Sequence, residues 1–150
     1  VAALQVLRDA GDPLPAAAVC ISPWADLTCE GASHTTRRDR EILLDTEDLL
    51  RMAGRYLAGT DPRHPLASPA HGDLTGLPPL LIQVGSEEVL YDDARALEQA
   101  AIKAGVPVTF EEWPEMFHVW HWYHPVLPEG RAAGEAAGAF LRRAAQEGAK

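Results

Sequence analysis

The sequence predicts an α/β fold: about three mostly parallel strands flanked by helices, with a partial helical cap. Three observations predict it. Residues 16–21 (AAAVCI) and 80–84 (LLIQV) are short apolar runs, the signature of strands buried on both faces. Residues 106–113 form a third run, alternating Val108 and Phe110 with Thr109 and Glu111, as a half-exposed edge strand does. An amphipathic stretch at 92–104 separates the last two, and strands that alternate with helices build parallel sheets.

The elements follow in order. Residues 1–10 read as a helix with Val1, Leu4 and Leu7 on one face. No capping residue precedes it, so it reads as the later part of a helix begun upstream. Gly11-Asp-Pro-Leu-Pro15 ends it. The loop Ser22-Pro-Trp-Ala-Asp26 leaves the first strand, and Asp26 there is expected to accept backbone N–H bonds. Block 27–60 is long for a plain connection, and such blocks are lids, pocket walls or packed surface helices. Within it Asp45-Thr-Glu-Asp48 offers a helix cap and an acidic first turn. Leu49, Leu50, Met52, Ala53, Tyr56 and Leu57 then make an apolar face, and Gly59 a stop. Residues 65–79, rich in Pro, Gly, Ser and His, read as an extended loop. Helix 92–104 turns Ala96, Leu97, Ala100 and Ala101 inward. A final helix starts at Pro128, with Ala136, Phe140 and Leu141 to dock on the sheet. No repeat or interdomain linker interrupts the chain.

Composition excludes some functions. A net charge of −9 argues against nucleic acid and against an anionic membrane surface, since both need a basic face. No apolar run approaches the roughly 20 residues of a membrane span. Cys20 and Cys29 do not form a CxxC pair and read as unpaired thiols in a reducing, cytoplasmic setting.

Glu88 follows the second strand and His118 the third. In open parallel sheets the chemistry lies beyond the carboxyl ends of the strands. A carboxylate that fixes the tautomer of an imidazole is half of a nucleophilic triad. His118, His121 and His124 also suggest a zinc site. Their spacing sweeps around a helix, however, with no Cys nearby and no HExxH, so no metal is expected.

Four stretches carry a resemblance: Ser22-Pro-Trp-Ala-Asp-Leu-Thr28, Gly76-Leu-Pro-Pro-Leu-Leu-Ile-Gln-Val-Gly85, Glu88-Val-Leu-Tyr-Asp-Asp93 and Trp113-Pro-Glu-Met-Phe-His-Val-Trp120. With Leu127-Pro-Glu129, they resemble the C-terminal half of the hormone-sensitive-lipase family of α/β-hydrolase fold esterases, over nearly the whole chain. The resemblance implies that residues 1–150 are the C-terminal portion of one α/β-hydrolase domain, with 27–60 as a cap inserted in it. It implies His118 as the triad histidine and Glu88 as the acid, in place of the commoner Asp; Asp92 and then Glu87 are the alternatives. Leu49, Leu50, Met52, Tyr56, Phe117 and Trp120 become candidates for pocket lining or packing. The implied reaction is hydrolysis of short-chain esters without a cofactor, and residues 108–113 become a candidate homodimer edge.

The family's nucleophile sits in a Gly-x-Ser-x-Gly elbow. Ser22 precedes Pro, Ser33 lies in a polar loop, Ser68 precedes Pro69, and Ser86 has Glu88 where the elbow needs Gly. The His-Gly-Gly oxyanion loop is missing too. The expectation is a chain that begins just after the nucleophile and is inactive alone. Its partner would be an N-terminal half of the same fold, without which the first strand exposes an apolar edge. Two readings compete: a non-catalytic α/β module that binds a ligand or partner through 27–60, and a pseudoenzyme or gene fragment that needs a separate half.

Overall fold

In the computed structural model, which describes residues 1–148, three strands pair in parallel and in chain order. They are β1 (Ala18–Ile21), β2 (Leu80–Gly85) and β3 (Val108–Trp113). Ala18 lies beside Leu80, and Leu80 beside Val108. All six residues of the central β2 are buried. Among the described strands β1 and β3 are the edges, and Ile21 at the end of β1 is 42% exposed. The α-helices are α1 (Ala2–Ala10), α2 (Ser33–Thr36), α3 (Thr46–Leu57), α4 (Tyr91–Lys103) and α5 (Pro128–Glu147).

The alternation of β2 sorts the layers. Leu80, Ile82 and Val84 face one way, into a core with Leu4 of α1 and Ala94, Leu97 and Ala101 of α4. Each of the Leu, Ile and Val side chains stabilises the fold by roughly 1.5–3 kcal/mol when fully buried. Gln83 faces the other way, and its Nε2 donates to the Ala133 carbonyl of α5 at 3.0 Å. The sheet is therefore sandwiched between α1 with α4 and α5.

Several local readings shift in the structure. Pro107 has no N–H for a ladder, and β3 starts after it. In α4 Ala94, not Ala96, turns inward; Ala96 is exposed, because the helix phase is set by Leu97 and the buried Asp93. In α5 Gly130 and Ala133 make the buried contact, Ala136 and Phe140 are half-buried, and Leu141 is exposed. The small residues win because the approach is close. A Cβ on Gly130 would lie 3.0 Å from the backbone of Trp120 and His124. In α3 the Asp45 carboxylate accepts from the N–H groups of Glu47 and Asp48, as a cap should. Leu49 and Ala53 are its buried residues, while Leu50, Met52 and Tyr56 are exposed. Ala58, one residue before Gly59, takes the left-handed capping position. Loop 65–79 contains a 3₁₀ turn at Pro69–His71.

Gly85 ends β2 where the segment after β3 crosses it. A Cβ there would stand 2.1 Å from the Met116 carbonyl oxygen. Gly85→Ala is therefore expected to destabilise the protein by about 2–3 kcal/mol, through forced displacement of backbone. Equilibrium denaturation checks this; an unchanged midpoint would mean that the crossing is loose.

Candidate active site

The loops after β2 and β3 are joined backbone to backbone. The N–H of Ser86 donates to the Trp113 carbonyl at 2.9 Å, and that of Glu87 to the Met116 carbonyl at 3.1 Å. The Glu115 N–H donates to Ser86 Oγ at 2.8 Å. This zipper sets Glu88 beside His118. Glu88 is fully buried, and its Oε2 lies 2.9 Å from His118 Nδ1. Its Oε1 accepts the Gly85 N–H at 2.6 Å and the Ser22 hydroxyl at 2.7 Å. A carboxylate only accepts, so Nδ1 carries the proton, and Nε2 is left with a free lone pair. The His118 side chain is 19% exposed. The arrangement can take a proton at Nε2 while the buried acid steadies the ring.

The alternative acids bond elsewhere. Asp92 accepts the Ser33 N–H at 2.8 Å, and Glu87 pairs with Arg40 at 3.2 Å. Asp26 accepts the Thr28 N–H at 2.9 Å and meets His71 at 3.0 Å. Asp93 is buried under the loop after β1. It accepts from the N–H groups of Ala25 and Asp26 and meets His34 at 3.3 Å. Burial pushes its carboxyl above the usual range, against the pull of His34 and those N–H groups.

The pocket candidates separate. Leu49 packs with Val89 and Leu90, and Trp120 with Met116 and Ala133, so both are core residues. Phe117 is half-buried, edge-on to Tyr123. Met52 and Tyr56 line a cavity of about 300 Å³ with Trp24, Leu27 and Ala67, and Leu50 is not among its lining residues. Block 27–60 sits on the acid loop. Arg37 donates to the Ser86 carbonyl and stacks 3.6 Å above the Tyr91 ring, and Ser33 Oγ donates to the Val89 carbonyl at 2.5 Å.

A second buried polar group holds the histidine loop down. Gln83 Nε2 donates to Glu111 at 2.9 Å and to the Ala133 carbonyl, so Gln83 Oε1 is free to accept from His121 Nε2 at 2.9 Å. His121 Nδ1 is buried without a partner. A proton there would have no acceptor, and burial lowers the pKa of His121 from 6.5 to about 4, against the pull of Glu111. The depressed value sets the sign of the pH effect. The unfolded chain binds the proton first, so the His121 contribution to stability is complete above pH 6.5 and is lost between 6.5 and about 4. Denaturation midpoints across that range are expected to fall more steeply in the wild type than in His121→Gln. Equal slopes would contradict this. Among the described residues no group of three His, Cys, Asp or Glu is placed to hold a metal, and Cys20 and Cys29 are unpaired.

Each serine hydroxyl is committed away from His118. Ser22 bonds Glu88, Ser33 the Val89 carbonyl, Ser68 the Pro62 carbonyl at 2.5 Å, and Ser86 the Glu87 carboxylate at 2.7 Å. Sequence reasoning weighed Ser22 only as a nucleophile and His121 only as a metal ligand, and did not single out the Gly85 N–H or Gln83. The available signal for Ser22 and Gly85 was position, since each residue directly ends or follows a strand beside the candidate acid.

A family model described as the alpha/beta hydrolase fold matches residues 1–122. The chain belongs to that family. The solved structures that resemble this chain place it with the hormone-sensitive-lipase family. An esterase from the bacterial hormone-sensitive lipase family is 50% identical, with a TM-score of 0.93 over 95% of this chain and 48% of that one. EstE5, soaked with ethyl alcohol, is 48% identical with a TM-score of 0.94, over the same shares. An acetyl-hydrolase of Streptomyces hygroscopicus is 88% identical over all of this chain and 50% of its own length. An esterase of Acinetobacter venetianus is 33% identical over 85% of this chain and 42% of its own. The chain thus spans about half the length of the curated relatives it matches. Among the described residues no helix is long and apolar enough to cross a membrane.

Proposed function

We propose that these 150 residues supply the acid and the histidine of a serine carboxylic ester hydrolase. The observation that carries the reading is the buried Glu88 bonded to His118 Nδ1, with Nε2 left free, at the carboxyl ends of neighbouring strands. A serine hydroxyl attacks the ester carbonyl, and His118 takes its proton and passes it to the leaving alcohol. Glu88 orients the ring and stabilises the imidazolium. The reading takes the nucleophile and most of the oxyanion hole from outside these residues; that Ser22, Ser33, Ser68 and Ser86 each bond another group supports it for the nucleophile. One oxyanion donor contributes about 3–4 kcal/mol.

The substrates are short-chain esters, in line with the names of the acetyl-hydrolase and esterase relatives. Block 27–60 is the cap, and the cavity at Met52 and Tyr56 with Trp24 is its apolar wall. β3, an edge among the described strands, is the surface through which the sheet would extend into a second copy.

The test is hydrolysis of a short-chain chromogenic ester by this chain alone, and by the chain mixed with an upstream segment that supplies the serine elbow. Hydrolysis is expected only in the mixture. A folded mixture without hydrolysis would sink the reading.

A further inference from the structure

We propose that Ser22 is a positioning residue for the Glu88–His118 pair, its single hydroxyl tying both to the end of β1; this rests on the esterase reading above. Ser22 lies one residue past β1, where its N–H still donates to the Gln83 carbonyl at 2.8 Å. It is 3% exposed and holds φ 44, a left-handed conformation that a residue with a Cβ rarely adopts. Its Oγ is used twice. The hydroxyl proton goes to Glu88 Oε1 at 2.7 Å, and an oxygen lone pair accepts the Val119 N–H at 3.1 Å. Val119 directly follows His118 and is itself left-handed, at φ 47. One oxygen therefore holds the acid from one side and the histidine's own loop from the other.

The effect on the pair follows from the carboxylate. Its terminal torsion is broad and two-fold, so a buried Glu without fixed donors can turn its oxygens. Ser22 and Gly85 both bond Oε1, and His118 alone bonds Oε2. Turning the group breaks two bonds at once, so Oε2 stays aimed at Nδ1. Without the hydroxyl, Oε1 keeps only the Gly85 N–H, and the Val119 N–H loses its acceptor. Ser22 sits on the oxygen away from His118, so it steers the ring without touching substrate.

The experiment uses the complete enzyme that contains these residues, as wild type, Ser22→Ala and Ser22→Gly. Alanine removes the hydroxyl; glycine removes it and also frees the left-handed backbone. Both variants are expected to lose about tenfold in kcat with KM within about twofold, the mark of an interaction that matters in the transition state. The low-field NMR resonance of the His118 Nδ1 proton is expected to broaden through exchange in both. Wild-type kcat in Ser22→Gly alone would reduce the position to a backbone bend and overturn the proposal. Wild-type kcat and a sharp resonance in both variants would overturn it as well. The resonance is also read in the folded fraction of a variant that melts early. It reports on Ser22 even if the wild type hydrolyses no ester, in which case the esterase reading fails separately.

Discussion

In the esterase proposed for these residues, His118→Ala is expected to lower kcat for a short-chain ester by about 10⁵-fold or more, with KM little changed. The size follows from the role. Among the described histidines, His118 alone has one ring nitrogen held by a fully buried acid and the other free, and every proton in the proposed cycle passes through that free Nε2. The substitution also strips Glu88 Oε2 of its partner, which costs about 1–3 kcal/mol of stability. Circular dichroism at the assay temperature separates the two effects, because the rate loss far exceeds any unfolded fraction that such a cost creates. Activity above about one per cent of wild type would remove His118 from the mechanism, since a general base that is dispensable is not one.

Glu88→Gln carries the second largest expected effect. The amide can keep its carbonyl oxygen on Ser22 Oγ and the Gly85 N–H, the two donors at Oε1, and so fits the same space. It then points an NH₂ at His118 Nδ1. The ring answers by turning Nδ1 into an acceptor, which moves its proton to Nε2 and removes the lone pair needed for catalysis. The comparable change of tautomer in serine proteases costs about 10⁴ in kcat, and a loss of about 10³–10⁴ is expected here with little change in melting temperature. Glu88→Ala differs in kind. It leaves the Ser22 hydroxyl and the Gly85 N–H buried without acceptors and opens a cavity, for a cost of about 2–4 kcal/mol. A Gln variant as active as wild type would show that the acid does not set the tautomer.

The two substitutions show why this site was half legible in the sequence. Glu88 and His118 could be paired from their places after neighbouring strands, because strand ends in a parallel sheet share one edge. Ser22 could not be added that way. Nothing local marks a hydroxyl that bonds a carboxylate 66 residues away and a peptide N–H 97 residues away. The same limit separated Leu49 and Trp120 from the other pocket candidates. An apolar periodicity says that a face packs, but not whether it packs on the core or on a substrate.

The three strands and helices α1, α3, α4 and α5 were legible in the sequence, since continuous apolar runs, the Asp45 cap and Pro128 act over a few residues through backbone geometry and solvation; the short α2 and the 3₁₀ turn at Pro69–His71 were not. The sequence by itself also determined the family, because its motifs are local strings. Only the tertiary structure decided which faces are buried and which donors meet the acid. Gly130 and Ala133 displaced Leu141 as the docking surface of α5, since close approach favours absent side chains over large ones. Gly85 lets the Met116 carbonyl cross it, and that crossing brings the histidine loop to Glu88. Both outcomes depend on contacts between segments far apart in the chain, which no short stretch of sequence specifies.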